Sequence, residues 1–288
     1  MLRHLLALLT VAALPAAAQT GFGPDFEGRA LARLDGTDGA GPAALTLMLH
    51  GAGGNGPRFQ RYSRFDRAAK RHGVLALYPS SADTWWNDGR FDLDTDDVGY
   101  LDRLIQTAID RGAADPDRIF VLGHSNGGGM AVRLSCERPQ RLAGIAVVAT
   151  KALKSYTCPS STPLPAIFIY GTRDPIAPHA GRPTGTEWSG GTNIGATRSA
   201  LDTLGIWATR NRCPASPTER KIDKAGDRTT LSVLTWSNCA APLAAIIVHG
   251  GGHGWPGARR ALEWALGPAT REVDAGDAAL RFLLATGE

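Results

Sequence analysis

The stretch that most constrains this chain is Val121-Leu122-Gly123-His124-Ser125-Asn126-Gly127-Gly128-Gly129. It follows a short apolar run, 118–122, that reads as a buried strand, and it precedes 130–136, which reads as a helix. Gly123, Ser125 and Gly127 stand in the spacing G-x-S-x-G. A strand that turns at once into a helix brings two backbones close together. The flanking positions must then be small, and the apex residue is forced into a strained conformation. Such a turn lifts the Ser125 hydroxyl off the sheet. It also sets the Asn126 N–H at a helix N-terminus, where partial positive charge gathers. An exposed hydroxyl beside an anion-binding N–H is half of an acyl-transfer site. A Gly-rich turn without chemistry can show the same spacing in a chain with 35 glycines, so the other half must come from elsewhere in the chain.

Apolar runs and amphipathic stretches alternate along the sequence. Strands are expected at 43–49, 74–78, 118–122, 142–148, 164–170, 229–236 and 244–248, with a weaker edge strand at 28–34. Helices are expected at 59–71, 96–111, 130–136, 196–210 and 274–285. Segment 80–94 reads as a polar loop, and 175–195, which has no clear period, as an excursion over the sheet. Most of the strands are continuous apolar runs. That pattern predicts an α/β fold, a mainly parallel sheet with helices on both faces. At 288 residues, 43% hydrophobic and 20% charged, the chain suits one large globular domain. The net charge of +4 includes no basic block, so there is no nucleic-acid footprint.

The N-terminus reads as a separate device. Arg3 and His4 precede the apolar run 5–14, too short to span a bilayer, and Ala16-Ala17-Ala18 supplies small residues for cleavage. A signal peptide is therefore expected at 1–18, with a single catalytic domain at 19–288. The mature chain would be secreted or periplasmic and have no membrane span. Export agrees with the four cysteines, none of them in C-x-x-C. Pairing Cys136 with Cys158 and Cys213 with Cys239 closes two local loops; the other two pairings stay open. No metal site is expected. His249 and His253 are four apart, but the glycines between them argue against a zinc-binding helix.

A serine hydroxyl becomes a useful nucleophile only when a base takes its proton, and a carboxylate must hold that base in one tautomer. In a parallel sheet the ligand site lies beyond the carboxyl ends of the strands. Four expected strand ends carry special residues: 50–56, 123–127, Asp174 and 249–253. Asp174 follows a buried strand directly, and His253 sits on a Gly-rich loop long enough to reach Ser125. His249, nearer its strand, is expected to be packed or hydrogen-bonded in the floor. Asp96 and Asp97 start a helix, where capping is the simpler role, and Asp94 reads as solvated loop. His124 and His179 read as polar pocket or surface residues. The order Ser125, Asp174, His253 is that of α/β-hydrolases. Gly51, Gly53 and Gly56 fit a dinucleotide turn, but no acidic residue ends the next strand, so no nicotinamide cofactor is expected. The loop is better read as giving the oxyanion a second N–H, from Ala52 or alternatively Gly51, beside that of Asn126.

His50-Gly51-Ala52-Gly53-Gly54, Trp86-Asn87-Asp88, Asp97-Val98-Gly99-Tyr100, 123–129 and 250–257 together resemble the secreted esterases that include polyhydroxybutyrate depolymerases and feruloyl or acetylxylan esterases. The resemblance runs from about Arg29 to the C-terminus, and Gly-Gly-Gly-His-Gly-Trp-Pro-Gly is its most specific part. It implies an α/β-hydrolase fold, a triad of Ser125, Asp174 and His253, no cofactor, and an ester substrate of hydroxyalkanoate, feruloyl or acetyl type. Paired cysteines near Cys213 and Cys239 are also similar. Members that attack insoluble polymer often add a linker and a binding domain, and neither is found in this sequence. Trp85, Trp86 and Trp255 are the aromatic candidates for the substrate cleft. Trp86 and Trp255 are expected to bind substrate, Trp255 because it lies two residues from His253. A serine peptidase on the same fold and a non-catalytic ligand-binding member are the rival readings.

Overall fold

Period-two alternation with both faces apolar lets a strand be buried on both sides, and the central strands of this chain have that pattern. The computed structural model describes residues 22–39, 41–90, 93–183, 194–258 and 263–286; the expected signal peptide lies outside them. In chain order the elements are β1 (Asp25–Phe26), β2 (Arg29–Asp35), β3 (Ala43–Leu49), α1 (Gly56–Ser63), α2 (Asp66–His72), β4 (Leu75–Pro79) and α3 (Asp97–Asp110). Then come β5 (Ala114–His124), α4 (Asn126–Glu137), β6 (Gly144–Val148), β7 (Ala166–Gly171) and α5 (Ala200–Arg210). The chain continues with β8 (Thr218–Ile222), β9 (Thr230–Trp236), β10 (Leu243–His249), α6 (Glu263–Leu266) and α7 (Ala275–Leu284).

The strands form one sheet in the order β1-β2-β4-β3-β5-β6-β7-β10-β9-β8. The six from β4 to β10 run parallel, with Leu47 opposite Val121, Leu122 opposite Ala146, and Ile246 opposite Ile169. Antiparallel strands flank them: β2 and β1 on one side, β9 and β8 on the other. The outermost β8, Thr-Glu-Arg-Lys-Ile, is exposed and charged, a composition that blunts an edge against pairing with another chain.

Alternate side chains feed two core layers. Leu45, Leu47, Ile119 and Val121 pack with Leu101 and Leu104 of α3, Leu134 of α4 and Trp207 of α5. Ala44, Met48, Phe120 and Leu122 pack on the opposite face with Phe59 of α1, Ala69 of α2 and Leu280 of α7. This is an α/β-hydrolase arrangement.

One expected helix is divided. In place of 59–71 the chain forms α1 and α2, separated at Arg64, which takes a left-handed backbone (φ 57°). The break turns Phe65 inward against Tyr78, with ring centroids 6.5 Å apart. Both disulfides are present as Cys136–Cys158 and Cys213–Cys239.

Candidate active site

Each special strand end falls at the carboxyl end of a parallel strand: His50 after β3, Ser125 after β5, Asp174 after β7 and His253 after β10. Ser125 takes φ 53° and ψ −121°, a conformation that an L-residue holds only when its surroundings over-determine it. Its N–H donates to Val148 O at 2.8 Å, and its carbonyl accepts from Gly129 N at 3.0 Å. A Cβ on Gly123 would run into the backbone of Gly127, and one on Gly127 would run into the carbonyls of Leu49 and His50. The glycines therefore let α4 start tight against β3 and β5, with the serine held at the apex.

His253 reaches that apex. Its Nε2 lies 2.9 Å from Ser125 Oγ, and its Nδ1 lies 2.8 Å from Asp174 Oδ2. A carboxylate only accepts, so Nδ1 carries the proton and Nε2 is left free to accept from the serine. Asp174 Oδ1 accepts from Ile176 N at 2.9 Å and Ala177 N at 2.7 Å. Burial pushes the Asp174 pKa up, but His253, Lys151 and the Ala177 N–H outweigh it and hold the carboxyl below its ordinary range.

The turn after β3 is pinned by buried polar groups. His50 donates from Nδ1 to Gly51 O at 2.8 Å and accepts at Nε2 from Ser81 N at 3.1 Å, while burial draws its pKa down to about 4. Gly53 N donates to Thr84 O and Gly54 N to Gly51 O. Those two amides are spent, whereas the N–H groups of Gly51 and Ala52, the two loop positions nearer the end of β3, meet no acceptor among the described residues. The N–H of Asn126 opens α4, where the helix ladder supplies no acceptor. Gly51, Ala52, Ser125 and Asn126 all line a cavity of about 440 Å³.

Two expected substrate contacts need correction. Trp86 is 0% exposed and lies beneath the site: Nε1 donates to His50 O at 3.1 Å, and the Asn126 side chain clamps its backbone N–H and carbonyl at 2.7 and 3.0 Å. Trp255 is 2% exposed and packs edge-on against Phe59 at 5.4 Å. Neither lines the cavity; among the described residues the tryptophan that does is Trp85. His249 is hydrogen-bonded as expected, its Nε2 2.8 Å from Ser232 Oγ, but it is exposed at the carboxyl end of β10 rather than set in a floor. Asp96 caps α3 through Gly99 N, as a helix start requires. Asp97 is buried, pairing with Arg29 at 2.5 Å and accepting from Asn87 N at 2.7 Å. Lys151 and Arg182 belong to no motif in the sequence. Lys151 Nζ lies 4.0 Å from Asp174 Oδ2 and donates to Ala177 O, while Arg182 donates to Ile176 O. Both hold the loop that carries the carboxylate.

The fold and this strand-end geometry define the class, an α/β-hydrolase. Residues 89–187 match the phospholipase/carboxylesterase family. The protein named "Putative esterase NocK", from Nocardia uniformis subsp. tsuyamanensis, is 32% identical over 259 residues, 83% of this chain and 74% of that protein. Feruloyl esterase B of Piromyces equi is 25% identical over 222 residues, 73% of this chain but 39% of its own length. Among solved structures, an acetyl xylan esterase from Aspergillus awamori superposes with a TM-score of 0.57, covering 92% of this chain and 97% of that one, and its 14% identity makes it a likeness of fold. The chain belongs to the α/β-hydrolase esterase family that includes NocK, and it is a serine ester hydrolase. No helix among the described residues is long and apolar enough to cross a membrane.

Proposed function

We propose that this protein cleaves carboxylic esters through an acyl-enzyme formed on Ser125, with His253 as general base and acid and Asp174 as its orienting carboxylate. Support comes chiefly from His253, whose two ring nitrogens sit 2.9 Å from Ser125 Oγ and 2.8 Å from Asp174 Oδ2. Ser125 Oγ attacks the ester carbonyl as His253 Nε2 removes its proton. The imidazolium formed is stabilised by Asp174, and the oxyanion by the N–H groups of Asn126 and Ala52. His253 returns the proton to the leaving alkoxide. Water, deprotonated by the same nitrogen, then releases the acid.

The names of the relatives, feruloyl esterases and an acetyl xylan esterase, favour feruloyl or acetyl esters of polysaccharide; hydroxyalkanoate esters are the other class implied by the sequence motifs. Two disulfides support an oxidising destination, which we place outside the cytoplasm after removal of residues 1–18, leaving 19–288 as one catalytic domain.

The test is labelling by a fluorophosphonate, which esterifies an activated serine. Wild type is expected to label and Ser125→Ala not to; equal labelling of the two would overturn the assignment. Methyl ferulate, acetylxylan and hydroxybutyrate oligomers, compared by kcat/KM, then rank the substrate classes.

A further inference from the structure

Near the triad two buried cations, Lys151 and Arg182, lie within the electrostatic reach of one carboxylate, Asp174. The Lys151 and Asp174 side chains are both sealed from solvent, Nζ 4.0 Å from Oδ2. Arg182 is 7% exposed and donates to the carbonyl of Ile176. The same carboxylate already accepts from His253 and from two backbone amides. Farther along that wall Arg90 is matched by Asp88 at 2.7 Å, so that pair cancels. Among the described residues no carboxylate lies within 4.0 Å of the Arg182 guanidinium. Counting Lys151, Arg182 and Asp174, the described residues of this wall carry one positive charge in excess.

A guanidinium has five N–H donors, and the Ile176 carbonyl engages one of its nitrogens. Burying a cation without a matching anion is costly. The main chain of Arg182 is held in place: its backbone N–H donates to Thr197 O at 3.1 Å, and its backbone carbonyl accepts from Thr197 N at 3.0 Å. It lines the cavity beside Thr150, Ile176, Ala177 and Ile194, a largely apolar setting that strengthens any charge pairing made there.

We propose that Arg182 receives an anionic group of the substrate, so that the preferred ester carries a carboxylate on the part that reaches the wall of Thr150, Ile176 and Ala177. This rests on the reading of Ser125 as an esterase nucleophile. A carboxylate suits the site because guanidinium binds it bidentately, and the anion restores neutrality where the described residues leave a surplus cation.

Two substrate pairs test it, one with the charge on the acyl part and one with it on the alcohol part. The first is 4-nitrophenyl hydrogen glutarate against methyl 4-nitrophenyl glutarate; the second is 3-acetoxybutyrate against its methyl ester. In one pair kcat/KM for the carboxylate should exceed that of the neutral ester by about tenfold or more, and the ratio should fall to about one in Arg182→Met. No preference in either pair, or a preference that survives Arg182→Met, overturns the proposal while leaving the esterase reading intact. Failure to cleave any of the four esters removes the esterase reading and this one with it. Should Arg182→Met not fold, inhibition of wild type supplies the same decision: glutarate should compete with the neutral ester and glutaramide should not, and equal inhibition by both refutes the assignment.

Discussion

His124 Nε2 donates to the backbone carbonyl of His253 at 2.7 Å, so the residue beside the serine holds the loop that carries the imidazole. The two rings lie 5.2 Å apart, and Phe59 stacks on His124 at 6.1 Å. Burial, with His253 close by, keeps His124 neutral by drawing its pKa to about 4. Held neutral, it acts as a strut and takes no part as a base. Replacing it with Leu should cut kcat about tenfold to a hundredfold with little change in KM, since a displacement of about 1 Å at a reacting group costs that much. His124→Gln, which keeps an N–H donor, should recover most of the loss. Equal losses in the two variants would show that the hydrogen bond is not what matters.

The buried ammonium behind Asp174 leads to a second expectation. Burial draws Lys151 from 10.5 down to about 8, against the pull of Asp174. The folded protein therefore holds that proton less tightly than the unfolded chain. Its relative stability should climb as pH rises from about 8 to 10.5, and that contribution should be absent from Lys151→Met. At pH 7 the variant should lose the ammonium bond to Ala177 O, and with it the fixed placement of the carboxylate, lowering kcat about tenfold. Its thermal midpoint should not fall, because an uncompensated share of desolvation leaves with the charge. Kinetics and thermal melts at neutral and alkaline pH check both parts.

Acid should unfold the protein earlier than its carboxylates alone require. His50 and His124 are each held neutral to about 4, whereas in the unfolded chain they titrate near 6.5. Protons then bind the unfolded chain first, so stability present above pH 6.5 is lost progressively toward pH 4. Each tenfold difference in proton affinity between the two states adds about 1.4 kcal/mol to the loss. Melting curves across this window should show that decline, and His50→Gln should flatten part of it. A wild-type midpoint independent of pH there would contradict the buried neutral state.

What the chain disclosed in advance follows from where its signals are local. Apolar runs such as 43–49 and 244–248 announce buried strands without help from the rest of the fold, and Ser125, Asp174 and His253 stand directly at or just past such runs. β8 is not legible in the sequence because Thr-Glu-Arg-Lys-Ile lacks alternation and has Ile222 as its one apolar residue; pairing with β9 makes it a strand. The break at Arg64 has no Gly or Pro to mark it. Trp85 and Trp86 are neighbours in a loop, where no periodicity tells the inward ring from the one lining the cavity. Lys151 and Arg182 look like ordinary loop cations, and only tertiary packing makes them buried ones.

Two glycines in helices should respond in opposite directions to the same added methyl. Gly205 lies on the exposed side of α5, with nothing within 4 Å of where a Cβ would stand. Gly205→Ala should therefore add about 0.5–1 kcal/mol through helix propensity alone, with kcat unchanged. Gly127 follows the serine by two residues, and its Cβ would press on the carbonyls of Leu49 and His50. Those carbonyls belong to the end of β3 and the turn that faces the cavity, and backbone there cannot move aside as a flexible side chain can. Gly127→Ala must drive the first turn of α4 away from β3, which carries Ser125 and the Asn126 N–H away from His253. The expected outcome is loss of at least about a hundredfold in kcat/KM, with a thermal midpoint lowered by several degrees. Urea denaturation and ester turnover of the two variants side by side decide the matter: a Gly127→Ala protein as stable and as active as wild type would mean that α4 does not start against β3.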